Sequence, residues 1–139
     1  MKYVDIYSYD LAGYQKLFNF QSWRMAVLNY IDELEIENIS YVEAHNETDE
    51  AFVLLEGSCR LIFACVEDGR ITTFESEKLE KNRIYKIPKG VYHTHTLSKD
   101  AKLLIVEEEA TSEFNSPRVY FNETEKDLFM KTFKEGHHV

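Results

Sequence analysis

Between Ile39 and Val106 the chain runs in short apolar stretches separated by polar turns. Ile39, Tyr41, Glu43 and His45 fall on one side of a period-two alternation, with Ser40, Val42 and Ala44 on the other. Ala51–Leu55 is an unbroken apolar run followed by Gly57, and Cys59–Val66 is a second strand-like run. Glu67-Asp68-Gly69 supplies a hairpin signal, because Asp-Gly tolerates positive φ, and Arg70–Phe74 follows as the return strand. The charged run Glu75–Asn82 reads as a solvated loop leading to Arg83–Ile87. Val91–Leu97 and Lys102–Val106 are two more strands, joined by a turn through Ser98–Ala101. Strands this short and this frequent, with no helical period between them, predict an all-β sandwich or barrel.

The flanks add to this picture. Tyr3, Tyr7, Tyr9, Tyr14, Phe18 and Phe20 make the first twenty residues aromatic; a short strand and a turn around Gly13 are expected there. Trp23–Tyr30 reads as a strand and the acidic stretch Asp32–Asn38 as a loop. Glu107, Glu108 and Glu109 read as a solvated strand end. After Asn122, a candidate N-cap with Glu125 three residues on, Leu128, Phe129 and Phe133 share a helical face. Lys131 and Lys134 suit the C-terminal end of the macrodipole, and Gly136 is a candidate stop. A short amphipathic helix over residues 123–134, with a structural role, is therefore expected. No repeat or linker interrupts the chain, so residues 1–139 are expected to form one domain, with a barrel core over about 23–110.

Composition narrows the partners. The chain is 44% hydrophobic, enough for a packed core, and carries a formal net charge of −9, from 25 acidic against 16 basic residues. No Lys/Arg cluster offsets that charge, which argues against nucleic acid and anionic membranes as partners. The N-terminal decapeptide interrupts its apolar residues with Asp and Ser, and no apolar run approaches a bilayer span. A soluble, cytoplasmic protein binding a small molecule or a metal is expected. Cys59 and Cys65 make no C-x-x-C pair and read as buried, reduced thiols.

Two stretches carry candidate chemistry. His45 and Glu50 can each ligate a metal, and Glu43 lies two residues before His45 on the same strand face. Later, His93 and His95 repeat that spacing. If the two strands face each other across a barrel, two or three imidazoles and one or two carboxylates converge. Two His plus one carboxylate leaves positions open for substrate, a pattern that takes Fe, Mn, Zn, Ni or Co. Neither cysteine falls in these stretches, so no thiolate ligand is expected.

The spacing His45-x4-Glu50-x6-Gly57 resembles the later part of the first cupin motif, H-x-H-x(3,4)-E-x(6)-G. The run Pro88-x-Gly90-x2-His93 resembles the centre of the second, G-x5-P-x-G-x2-H-x3-N. The resemblance covers roughly Tyr41 to Val106. It implies a cupin-like double-stranded β-helix, or jelly-roll barrel, here followed by the short C-terminal α-helix. It also implies a divalent metal held by His45, Glu50 and His93, with Glu43 at the position of the missing first His. Asn82 stands where the second motif opens with Gly, and Leu97 where it closes with Asn. His95 has no counterpart in the motif. It is a candidate extra ligand, a general base beside the metal, or a histidine hydrogen-bonded to the barrel wall. Two functions follow. One is a metal-dependent isomerase, lyase or dioxygenase acting on a small polar metabolite, with Glu43 or His95 moving the proton. The other is a barrel that binds or senses a small molecule without turnover. A homodimer is expected by the same resemblance.

Overall fold

In the computed structural model, which describes residues 3–134, ten strands form two five-stranded antiparallel sheets. The strands are β1 (Tyr14–Phe20), β2 (Trp23–Asn29), β3 (Tyr41–Glu43), β4 (Glu50–Glu56) and β5 (Cys59–Glu67). They continue with β6 (Arg70–Lys78), β7 (Tyr85–Ile87), β8 (Tyr92–Leu97), β9 (Lys102–Glu108) and β10 (Arg118–Tyr120), and helix α1 spans Glu123–Phe133. Sheet A has the order β1-β2-β9-β4-β7 and sheet B the order β10-β3-β8-β5-β6. The chain crosses repeatedly between the sheets, and the result is the jelly-roll barrel with a C-terminal helix that the cupin resemblance implies, one form of the sandwich or barrel that the strand pattern predicts.

Alternation places the core. Ala26, Leu28, Phe52, Leu54, Leu103 and Ile105 of sheet A meet Cys59, Leu61 and Leu97 of sheet B in one apolar layer between the sheets. The outer face of sheet B is also covered. Ile62 packs under Phe129 and Phe133 of α1, with Phe74 against both rings. The helix starts at the expected Asn122, whose side chain accepts from the Glu125 amide while Glu125 accepts from the Asn122 amide. Glu125 also accepts from the Ile71 amide and from Arg70, which ties the helix to β6. Gly136 lies outside the described residues.

Four expectations need correction. The charged run Glu75–Asn82 is not all loop: Glu75–Lys78 extend β6, paired with Arg60–Phe63. An edge strand exposes one face, so charged side chains there are solvated without leaving the ladder. Asp32–Asn38 contains two single 3₁₀ turns, Asp32–Leu34 and Ile36–Asn38. Cys59 is buried but Cys65 is exposed, because β5 runs beyond the last residue that pairs with β8. Glu107 is not solvated. It continues the inward alternation of Leu103 and Ile105 and is only 6% exposed.

Candidate metal centre

The backbone brings the two sequence stretches together. The amides of Ala44 and Asn46 donate to Pro117 and Asn115, and the His45 carbonyl accepts from Gly90, the glycine of the second stretch. Gly90 has φ +85, so a side chain there would be strained. Asp49, beside Glu50, accepts from the Lys89 amide and from the Lys86 ammonium. His45 is thus fixed against the Pro88–Gly90 turn, from which β8 carries His93 inward. Asn82, where the motif has glycine, takes the left-handed φ of 67° that the motif position demands.

Three of the expected ligands converge. One ligand atom from each of His45, Glu50 and His93 lies within 4.8 Å of the others, and all three residues are buried. The Glu50 Oε1 atom is 3.2 Å from His45 Nε2 and 3.1 Å from His93 Nε2. The outer nitrogens are held too: His45 Nδ1 contacts the Ser116 hydroxyl at 2.8 Å, and His93 Nδ1 the Val91 carbonyl at 3.0 Å. A carbonyl only accepts, so His93 carries its proton on Nδ1, and a neutral ring turns the Nε2 lone pair towards the Glu50 carboxylate. Two lone pairs facing each other require a proton or a metal cation between them. Donors bound at about 2.1 Å and at right angles stand about 3 Å apart, close to the spacing found. The donor set therefore fits a divalent metal with two imidazoles and one carboxylate.

The electrostatics point the same way. Burial opposes ionisation of Glu50, but hydrogen bonds with His45, His93 and Glu107 hold it well below the usual carboxylate range. Burial also opposes the His45 imidazolium, yet the Glu50 hydrogen bond and charge outweigh it and raise the His45 pKa. An anionic oxygen is thus maintained between the two imidazoles.

Glu43 and His95 are placed differently. Glu43 faces the same cavity but accepts from Arg118 Nε at 2.7 Å, outside the converging trio. His95 also lines the cavity, its ring 5.8 Å from that of Phe52 and its Nδ1 buried without a hydrogen-bond partner. Burial, then the neighbouring His93, lower its pKa to about 4, so the ring is neutral at neutral pH.

Sequence reasoning missed several groups around this site. Glu107 accepts from Tyr14 Oη at 3.0 Å and from Arg24 Nη2 at 2.6 Å, and shares a hydrogen bond with Glu50. Burial, then that hydrogen bond, raise the Glu107 pKa to about 7. The period-two pattern Leu103, Ile105, Glu107 was the available signal. Ser116 and Arg118 lie in and beside a three-residue strand with no motif to mark it. Arg24 and Arg118 line the cavity, which has a volume of about 660 Å³; Arg60, three residues past the first motif, instead bonds Ser76. No helix among the described residues is long and apolar enough to cross a membrane.

No protein-family model matches the sequence, and no curated protein matches it. Solved structures do. The chain is similar to a cupin-2 domain-containing protein from Shewanella frigidimarina, with a TM-score of 0.52 and 20% identity over 73% of this chain and 85% of that one. It is also similar to a protein from Neisseria meningitidis, with a TM-score of 0.51 and 15% identity over 73% and 89% of the two chains. A protein from Planctomyces limnophilus aligns with a TM-score of 0.50 and 15% identity over 78% and 81%. At these identities the likeness is one of fold.

Proposed function

The chain has the cupin fold, and on that premise we propose that it holds a divalent metal on His45, Glu50 and His93 and acts there on a small polar metabolite. The observation that carries this reading is the convergence of two Nε2 atoms on one buried carboxylate oxygen, with each outer ring nitrogen held by its own partner. Bound there, the metal would act as a Lewis acid towards ligand oxygens, which suits isomerase, lyase or dioxygenase chemistry. The chain supplies the rest. Ser116 and the Val91 carbonyl orient the two imidazoles, and the apolar layer behind Phe52 and Ile105 keeps water from one side. His95 offers an uncharged ring as a proton acceptor, and Glu43, once free of Arg118, a carboxylate able to ligate or to move a proton.

Metal analysis of the purified protein tests this reading, with His45→Ala, Glu50→Gln and His93→Ala beside it. The expected result is a transition metal near one equivalent in the parent and its loss in all three folded variants. Equal metal in parent and variants would sink the idea. A barrel that binds its ligand without turnover is the second reading. The Glu43–Arg118 ion pair favours it, since one of the two proton-moving candidates is already engaged. A homodimer belongs to the same proposal, supported by the outer edge of β1, with which nothing among the described residues pairs.

A further inference from the structure

The cavity contains two rows of the same kind, one on each sheet. In sheet B, Arg118 on β10 lies directly opposite Glu43 on β3, and Glu43 directly opposite His93 on β8. Cross-strand partners share a face, so the three side chains point the same way. In sheet A, Arg24 lies opposite Glu107, which is hydrogen-bonded to Glu50. Each row runs guanidinium, carboxylate, candidate ligand.

The rows differ in what is left to bind. Arg24 is spent: its Nε and Nη2 donate to Glu107 and its Nη1 to the Glu109 carbonyl. That pair is deeply buried, with side chains 17% and 4% exposed. Arg118 and Glu43 are 31% and 24% exposed, and their pair faces the cavity. Arg118 donates through Nε to Glu43 and through Nη1 to Tyr120 Oη, while Nη2 has no partner among the described residues. The guanidinium lies over the Tyr41 ring at 4.5 Å, which holds its plane whatever carboxylate it meets.

The free donor decides the kind of ligand. Of the two arginines that line the cavity, Arg118 alone keeps a nitrogen, Nη2, without a partner among the described residues. A guanidinium fork matches the two oxygens of a carboxylate. His93 and Arg118 stand two strand spacings apart, about 10 Å between backbones, and their side chains shorten that span. A small acid carrying a second oxygen a few bonds from its carboxylate can reach both.

We propose that Arg118 is the specificity residue of this site: it takes the carboxylate of a small organic acid in exchange for Glu43, which the exchange frees towards the metal centre. The inference rests on the metal reading for the fate of Glu43, but not for the exchange at Arg118. A part-exposed ion pair is weak, so giving it up costs little, whereas a carboxylate in the guanidinium fork gains paired hydrogen bonds.

Calorimetric titration of the whole protein with pyruvate and lactate, each against its amide, tests the exchange with and without added zinc. Glu43→Gln removes the competitor and a repelling charge, and should tighten acid binding about tenfold; Arg118→Gln should weaken it at least tenfold. Neither variant should alter the amides. A pair that is merely structural would make both variants weaken binding, so the opposite signs are the diagnostic result. Weakening in both, no effect of Arg118→Gln, or no binding of either acid to Glu43→Gln would overturn the proposal. Opposite effects that persist when no form binds zinc would retain Arg118 and discard the metal. Zinc bound normally, with acid affinities indifferent to both variants, would do the reverse.

Discussion

The contact between His45 Nδ1 and the Ser116 hydroxyl fixes which nitrogen faces Glu50 and how the ring is turned. Groups of this kind, one bond removed from a metal, tune affinity by about ten- to a hundredfold. Ser116→Ala should therefore weaken zinc binding about tenfold with the fold intact, as read by competition with a chromophoric chelator. An unchanged affinity would show that the hydroxyl does not orient the ring. The same titration has a definite pH sign. Metal must displace the proton of His45, whose pKa the Glu50 carboxylate raises above the ordinary value despite burial. Affinity should be full well above that raised pKa and fall as the pH drops through it, beginning above 6.5, in parent and Ser116→Ala alike. The difference between these residues is also one of legibility. His45, Glu50 and His93 could be found in the sequence because a metal site needs imidazole and carboxylate at fixed spacings. Ser116 and Arg118 could not, since serine and arginine occur on every surface, and Glu107 showed only in the period of Leu103 and Ile105. The register of β9 turns Glu107 inward and that of β10 turns Arg118, while Ser116 lies just before β10.

At the scale of the element, the glycine that closes the first motif shows why the spacing exists. Gly57 has φ +71, and a Cβ there would lie 2.7 Å from the Ala101 backbone nitrogen and Cα. The chain leaves β4 pressed against Ala101, the residue just before β9, and beyond this crossing β4 pairs with β9 as far as Ala51 and Val106, the neighbours of Glu50 and Glu107. Gly57→Ala should lose about 1–2 kcal/mol to the left-handed backbone and more to the contact. Gly90→Ala is the control, because its φ of +85 is equally unsuited to alanine but nothing lies within 4 Å of the added carbon. Urea denaturation should therefore show the larger loss for Gly57→Ala; equal losses would mean that the close approach is relieved at no cost. Strand ends were harder to read than strand identities. β6 continues through Glu75–Lys78 because backbone pairing with β5 fixes its length, and side chains on an open edge carry no burial signal. β10 has only three residues, and its single buried side chain, Val119, makes no period.

Across the whole molecule, the free strand edges are unequal. The β6 edge is tied to α1 through Glu125 and the Ile71 amide, while β7 and β10 are three residues each. β1 offers seven residues, and nothing among the described residues pairs with its outer side. Eight of the twelve large apolar side chains exposed among the described residues fall between Tyr3 and Trp23, the segment that holds this strand. A long open edge flanked by exposed aromatic rings is a surface that proteins otherwise cover or charge. A second copy can cover it with the same strand, since antiparallel pairing of β1 with itself is compatible with a two-fold axis. The net charge of −9 per chain works against the pairing. Salt screens that repulsion without weakening apolar contact, so association should strengthen from low to moderate ionic strength. Light scattering on the parent should give a dimer, and Leu11→Lys with Phe20→Lys, both exposed and outside the core, should give a folded monomer. A monomeric parent at every salt concentration would refute pairing through β1. A dimer untouched by the two lysines would move the interface elsewhere on the barrel.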